Sequence, residues 1–468
     1  MPKQLDAVVV GAGPNGLAAA ITLARAGKSV IVFEAGQMAG GGLRSATLTL
    51  PGFVHDVCSA IHPLGVASPF FASLPLRDHG LDWIHPPIPL AHPLDNREPA
   101  LLHRSVEETA AQFGEADARA YRSLLNADWD RLIPAILAPW PMFRHPLSLA
   151  RFGRNAMVSA SGLARRRFQG EPARALFAGL AAHSNMPLEA PATASFGLVL
   201  GLLGHAVGWP FPRGGAQKLA DALVSYAASL GVHVETGVKV DDIDRLPPAR
   251  VVLLDVTPRQ LLAIAGERLT IGNRRALSRF RYGRGVFKID FALSSPIPWK
   301  TPAVSRAATV HLGPSLEEIE ASERSATPPE RPFVLLAQHS LFDPTRAPAG
   351  QHTAWAYCHV PHGSGQDMTT RIEQQIERFA PGFRNTILAR HTMTPANLEA
   401  YNANYIGGDI SGGNNDWKQL LTRPWVRLDP YRMAEGVFLC SSSTPPGAGV
   451  HGMGGYYAAR SALRRLVK

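Results

Sequence analysis

A glycine pattern near the start, Gly-Ala-Gly-Pro-Asn-Gly at residues 11–16, constrains this chain more than any other feature. It follows an apolar run suited to a strand buried on both faces, and it precedes a stretch of good helix formers. In such a unit Gly11 permits the tight turn, Gly13 lets the backbone approach a diphosphate, and Gly16 lets the helix pack closely on the sheet. The pattern therefore predicts a dinucleotide-binding βαβ unit.

An acidic residue stands where this unit requires one. The second apolar run, residues 29–33, ends at Glu34, which lies 23 residues after Gly11. A ribose-binding carboxylate is expected about 20 residues after the first glycine. The order of strand, glycines, helix and acid favours a nucleotide site over an ordinary βαβ unit.

A second glycine cluster, residues 40–42, follows directly and leads through Leu43 to Arg44. Backbone N–H groups and one guanidinium in such a loop would contact the same anion, either a phosphate or a ribityl chain. Residues 47–50 and 53–54 predict a hairpin beyond the loop.

The end of the chain repeats the arrangement of strand, glycine loop and helix. Residues 436–440 predict a buried strand, and residues 441–450 predict a loop. His-Gly-Met-Gly-Gly at 451–455 then leads into a helix that is predicted over residues 456–466. Bare backbone and a helix N-terminus suit the electron-rich pyrimidine edge of a reduced flavin.

Length and composition exclude several classes of protein. A chain of 468 residues is expected to form two or three domains. The first strand starts within six residues of Met1, which leaves no room for a secretory signal, and the longest apolar stretch, 196–209, is too short to span a bilayer. Three distant cysteines suggest neither a disulfide framework nor a zinc site, so we expect a cytoplasmic protein without a metal.

The net charge of +10 does not indicate nucleic-acid binding, because no nucleic-acid module is present and most basic residues are scattered. One basic segment stands out, with Arg144, Arg151, Arg154, Arg165, Arg166 and Arg167. It predicts either a solvated basic face or peripheral contact with an anionic membrane surface.

The middle of the chain predicts a second structural unit. A helix is expected over 115–132, stopped by Pro134, and two helices near 176–182 and 194–207 are apolar nearly all round. Such helices form core or line an apolar cavity. Three further strands, at residues 284–293, 333–338 and 352–360, predict an antiparallel sheet.

Five segments form one signature: residues 11–16 with Glu34, and residues 40–45, 212–215, 407–410 and 444–455. Together they resemble the FAD-dependent phytoene desaturase-like oxidoreductases of the amine oxidase-like flavoprotein superfamily. The resemblance implies an α/β fold in which a discontinuous Rossmann-like FAD-binding domain (residues 1–75, 212–285 and 400–468) carries an inserted α+β substrate domain (76–211 and 286–399).

The resemblance also assigns the cofactor contacts. Those that it implies for FAD are Gly11, Gly13, Pro14, Asn15, Gly16, Glu34, Ala35, Gly42, Leu43, Arg44, Val238, Gly452, Met453 and Gly454. Within this set, Val238 would pair with the adenine through its backbone, and Gly452, Met453 and Gly454 would lie near the isoalloxazine.

The function that we expect is hydride transfer between flavin N5 and an apolar isoprenoid or polyene-type substrate, which needs few acid or base groups. Lys288 and His451 are the candidate catalytic residues, although a solvated lysine and a turn histidine are the simpler interpretations. A redox-neutral double-bond isomerase and a non-catalytic flavin-binding protein remain alternatives. An NAD-dependent dehydrogenase is disfavoured because it would have no use for the C-terminal glycine loop. The sequence leaves the oligomeric state unknown.

Overall fold

The computed structural model describes residues 4–139 and 146–466. The strands, in chain order, are β1 Leu5–Val10, β2 Val30–Glu34, β3 Ser45–Ala46, β4 His55–Asp56, β5 Trp83–Ile84, β6 Ile88–Leu94, β7 Arg97–Leu102, β8 Phe211–Pro212, β9 His233–Thr236, β10 Ala249–Leu254, β11 Gly285–Leu293, β12 Ala307–Leu312, β13 Val334–Ala337, β14 His352–Val360, β15 Ile387–Met393, β16 Arg432–Ala434 and β17 Val437–Leu439.

The helices, in the same order, are α1 Pro14–Arg25, α2 Pro63–Val66, α3 Pro69–Ala72, α4 Val106–Ala110, α5 Glu115–Leu125, α6 Trp129–Ile136, α7 Pro146–Ala156, α8 Ala160–Arg167, α9 Glu171–Ala182, α10 Ala194–Ala206, α11 Gln217–Ser229, α12 Pro258–Ala265, α13 Ile271–Ser278, α14 Leu316–Arg324, α15 Thr369–Phe379, α16 Pro395–Tyr401, α17 Trp417–Thr422 and α18 Met453–Leu466. No helix within the described ranges combines the length and the apolar character needed to cross a bilayer.

A six-stranded sheet holds both ends of the chain. Its strand order is β16-β17-β10-β1-β2-β9, and all neighbours run parallel except β16 and β17. The central strand β1 is buried on both faces, because Val9 packs in one apolar cluster while Val8 and Val10 pack in another. Helix α1 lies against α18, the last helix of the chain. The Rossmann-like part of the fold is thus confirmed, and it is discontinuous.

A seven-stranded, largely antiparallel sheet forms the second layer, in the order β15-β11-β14-β13-β12-β6-β7. Alternation along β11 sends Phe287, Ile289 and Phe291 to an apolar cluster shared with α15. Lys288 and Asp290 therefore lie on the opposite face, towards the apolar helices α9 and α10. The inserted α+β part is confirmed, while the exact domain boundaries stay a prediction.

Two local predictions differ from the structure. Pro134 does not stop a helix, because it lies inside α6. The helix expected over 115–132 instead breaks at residues 126–128. There Asp128 caps α6 by accepting the Arg131 N–H at 3.3 Å. The hairpin strands predicted at 47–50 and 53–54 belong to the connecting loop. The two strands that do pair, β3 and β4, flank this loop, and Ser45 pairs with Asp56 and Ala46 with His55.

Candidate functional site

The first glycine loop joins β1 to α1 and leaves no room for side chains. Gly11 has a φ of +97°, a conformation that L side chains rarely adopt. A Cβ on Gly16 would overlap the Gly11 carbonyl oxygen, and a Cβ on Gly13 would lie 2.8 Å from Asp255 Oδ2. Pro14 begins α1 without needing an N–H partner. The loop therefore has the close-packed form that the dinucleotide pattern requires.

Glu34 lies at the end of β2 with its carboxylate turned to this loop. Its Oε2 accepts the Ala12 N–H and its Oε1 accepts the Gly36 N–H, both at 2.7 Å. Neighbouring Ala35 is exposed. The carboxylate is thus held at the loop by two backbone groups, in a position compatible with the predicted ribose contact.

The second glycine cluster brings Arg44 and two tyrosines to the same region. Arg44 donates from Nε to the Gly41 carbonyl at 3.0 Å, and its guanidinium lies 4.2 Å from the ring centroid of Tyr401. Gly42 is required because a Cβ there would overlap the Tyr405 hydroxyl. Arg44 is half-buried, and its guanidinium is available to an anion at the loop.

Two predicted contacts have other partners in the structure. The Leu43 side chain is fully buried in the apolar core around β1, so only its backbone could face a cofactor. The Val238 N–H donates to the Glu34 carbonyl at 2.9 Å, which leaves the Val238 carbonyl for an adenine. Both assignments stay predictions.

The C-terminal glycine loop meets the first one. A Cβ on Gly454 would lie 3.1 Å from the Cys440 carbonyl oxygen and 3.3 Å from Asn15 Oδ1. Gly455 donates its N–H to the same Asn15 oxygen at 3.4 Å, and a Cβ on Gly455 would overlap the Asn15 carbonyl. Gly452 has a φ of +68°. The N-termini of α1 and α18 therefore lie side by side, whereas a shared cofactor site at the two loops stays a prediction.

His451 is a buried cap of helix α18. Its Nδ1 accepts the Met453 N–H at 3.0 Å, and its own carbonyl accepts the Ser68 hydroxyl at 2.6 Å. Burial lowers the pKa of His451 to about 4, so the ring is neutral at pH 7 with its proton on Nε2. The histidine holds the glycine loop in place; a role in proton transfer stays a prediction.

Lys288 is not a solvated lysine at a strand end. It lies in the middle of β11, is 2% exposed, and forms an ion pair with Asp290. His55 Nδ1 approaches Asp290 Oδ1 at 3.7 Å and His391 Nδ1 approaches Asp290 Oδ2 at 3.8 Å. Burial alone would raise the pKa of Asp290, but the charge of Lys288 and the interactions with His391 and His55 together outweigh burial and lower the pKa. Such a buried pair is maintained at a cost in desolvation.

The thiol of Cys58 connects Lys288 to the glycine loop. Burial raises the pKa of this thiol, while a hydrogen bond to Tyr405 and the charge of Lys288 act in the opposite direction. Tyr405 in turn contacts Gly42. Lys288 therefore lies two side chains away from the loop predicted to hold the cofactor, on the inward face of the second sheet.

Sequence reasoning missed two buried polar residues at these loops. Asp255 follows β10 and accepts a hydrogen bond from the Gly16 N–H. Its position at the end of a strand parallel to β1 is the feature that could have identified it. Arg423 is 1% exposed and donates to the carbonyls of Ser442 and Gly413 at 2.9 and 3.1 Å. It joins the loop before α17 to the loop after β17, and no pattern in its neighbourhood indicates this.

The basic segment is only partly free to bind a surface. Arg165 forms a bidentate pair with Glu320, with both N–O distances 2.6 Å. Arg151 and Arg154 are exposed on α7, and Arg166 is exposed on α8. Arg144 lies outside the described residues. Contact with an anionic membrane stays a prediction.

Several relatives and one family of domains match the chain. Residues 9–74 match a family described as an NAD(P)-binding Rossmann-like domain. Over its full length the chain is 28% identical to pyridine nucleotide-disulfide oxidoreductase domain-containing protein 2 of Mus musculus, of which it covers 94%. It is 24% identical to the phytoene desaturase (lycopene-forming) of Pseudescherichia vulneris, over 52% of this chain and 53% of that one.

Solved structures share the whole architecture. An oxidoreductase from Methanosarcina mazei has a TM-score of 0.68 at 16% identity, with 98% of this chain and 100% of that one covered. Putrescine oxidase bound to putrescine has a TM-score of 0.65 at 18% identity, with 100% of both chains covered. The fold is that of the amine oxidase-like flavoproteins. The resemblance stated above is confirmed: the chain is similar to amine oxidase-like oxidoreductases in its fold, and its residues 9–74 match a dinucleotide-binding family.

Proposed function

We propose that this amine oxidase-like oxidoreductase binds FAD across the two glycine loops and exchanges hydride with an apolar isoprenoid or polyene-type substrate. One observation carries the proposal. Gly13 and Gly454 come from opposite ends of the chain, yet both lie around Asn15, at the paired N-termini of α1 and α18. Two adjacent helix N-termini, each preceded by a glycine, suit a ligand that carries anionic phosphates at one end and an electron-rich ring at the other.

The residues present fit FAD. Gly13 has no side chain to prevent a close backbone approach, Glu34 would present its carboxylate to a ribose, and Arg44 brings a guanidinium to the same loop. FAD would supply hydride transfer at its N5 atom. The chain would supply orientation, exclusion of water, and one buried ammonium group, that of Lys288.

The apolar substrate class is inferred from the relative that is a phytoene desaturase and from helices α9 and α10. Both helices are buried along most of their length, and they cover the inward face of the second sheet. On that face Lys288 is the group that we assign to hold or move a proton at Nζ beside a reacting carbon, with Asp290 as its ion-pair partner.

The first experiment purifies the protein, releases its cofactor and identifies it by absorbance and mass. Lipid extracts are then incubated with the protein and screened by mass. Gain or loss of two hydrogens is expected. An unchanged product mass with altered retention would instead indicate a double-bond isomerase, and no product would indicate a flavin-binding protein without turnover. Absence of FAD would overturn the proposal.

A substitution at Lys288 tests the catalytic assignment. Lys288→Met is expected to keep stoichiometric FAD but to slow flavin reduction by substrate about 10²- to 10⁴-fold, as for loss of a general acid or base. Since Asp290 would then be buried without a partner, the double variant Lys288→Met/Asp290→Asn separates catalysis from stability. Lys300→Met, at an exposed site, is the matched control. Unchanged reduction in Lys288→Met would exclude Lys288 from the reaction.

A further inference from the structure

Asp255 places a carboxyl group within the first glycine loop. It is the first residue after β10, which pairs with β1. Its Oδ2 accepts the Gly16 N–H at 2.9 Å and would lie 2.8 Å from a Cβ on Gly13. Its Cβ lies 3.1 Å from the position of a Cβ on Gly11. Asp255 thus lies against all three glycines that define the nucleotide loop, with its carboxyl group at Gly13 and Gly16 and its Cβ at Gly11.

The surroundings of this carboxyl group contain no compensating charge. Asp255 is 8% exposed, and among the described residues it forms no ion pair, while its Oδ1 has no hydrogen-bond partner. The titratable groups that face it are Glu34, from β2, and the thiol of Cys440, which follows β17. From the other neighbouring loop, Asn404 donates to the Asp255 backbone carbonyl at 3.0 Å. Burial raises the pKa of Asp255 to about 7, and the charge of Glu34 acts in the same direction.

The same loop would also receive the diphosphate of the cofactor, because Gly13 is where a dinucleotide approaches the backbone. An ionised Asp255 would then repel the diphosphate in a buried setting where charges are poorly screened. A neutral carboxyl group would not repel it, and it has an O–H to donate.

We propose that Asp255 is a cofactor-site residue whose protonated carboxyl group is required for tight binding of the dinucleotide diphosphate, and whose ionisation weakens binding. This inference rests on the proposed FAD binding. If the inference holds, the affinity for FAD depends on pH through the carboxyl proton of Asp255. Protein in which Asp255 is ionised takes up this proton when FAD binds.

The test measures the dissociation constant of FAD from the full-length protein by equilibrium dialysis between pH 6 and pH 9. Wild type should bind FAD with constant affinity below about pH 7, and its dissociation constant should rise up to tenfold per pH unit above that. Asp255→Asn preserves the shape and cannot ionise, so its dissociation constant should not change with pH. Asp255→Ser, also neutral, gives the same test if the asparagine variant does not fold.

Glu34→Gln is the matched carboxylate control. It should bind FAD more weakly at every pH but keep the pH slope, with an onset at lower pH, because one negative charge beside Asp255 is gone. A wild-type slope that persists in Asp255→Asn, or a wild-type affinity independent of pH, would overturn the inference and leave FAD binding intact. Failure to bind FAD at any pH would overturn the proposed function as well.

Discussion

At the scale of single residues, Gly16 shows how little the nucleotide loop tolerates. A Cβ there would overlap the Gly11 carbonyl and lie 3.3 Å from the Asp255 Cβ, and both neighbours are held by parallel strands. Gly16→Ala is therefore expected to lose FAD and to lower the free energy of unfolding by about 3 kcal/mol or more. Urea unfolding and flavin absorbance measure the two effects. Gly153→Ala, in α7 with open space around it, should be neutral or slightly stabilising; equal behaviour of the two variants would contradict the packing argument.

At the scale of elements, one buried ion pair ties three segments together. Asp56 of β4 pairs with Arg346, which is 1% exposed, and also accepts the Ser45 hydroxyl and the Ala216 N–H. Burial alone would raise the pKa of Asp56, but Arg346, together with His339 and the Ala216 N–H, outweighs burial and holds the pKa below its usual range. The pair therefore contributes stability above about pH 4, and that contribution is lost as the pH falls further.

Asp56→Asn tests this connection. The change leaves Arg346 buried without its anion, which should cost about 3–5 kcal/mol at pH 7. In urea titrations the difference from wild type should shrink below about pH 4, because Asp56 of the unfolded wild-type chain then takes up a proton while the folded carboxylate is still ionised. Asp82→Asn, which removes an exposed pair with Arg213, should have no measurable effect. A difference that does not change with pH would mean that the charge of Asp56 is unimportant.

The helices and strands also show which features of the fold and site the sequence could predict and which it could not. The unit β1–α1–β2 was placed correctly because its signals are local: glycine spacing, apolar runs and one acid. The break before α6 was missed because Asp128 caps a helix that tolerates Pro134. The burial of Lys288 depends on Asp290 and on His55, from a distant segment, and no local pattern reports such a contact.

At the scale of the whole molecule, buried histidines predict sensitivity to mild acid. Burial lowers the pKa of eight of them, to about 4 or about 3 in His55, His62, His92, His183, His205, His339 and His451, and well below the ordinary value in His311. In the unfolded chain each would titrate near 6.5. Below that pH the unfolded state binds more protons, so stability is present above about pH 6.5 and is lost as the pH falls.

Each buried histidine should contribute up to about 1.4 kcal/mol per pH unit to this loss. Calorimetry should show a Tm that is nearly constant between pH 8 and 7 and falls steeply between pH 6.5 and 5. His92→Gln should reduce the slope, whereas His233→Gln, at an exposed site, should not. A Tm that is flat down to pH 5 would show that these rings are protonated in the folded protein.

The contact between α1 and α18 also has a consequence for biosynthesis. The ribosome makes β1 and α1 before the inserted sheet and α18 after it, so α1 has no α18 to pack against until that sheet has been translated. The inserted sheet can form earlier, since its strands lie between residues 88 and 393. Under the proposed function, FAD binding would therefore follow the docking of α18 on α1, although β2, α11 and β10 can pack against β1 and α1 before that step.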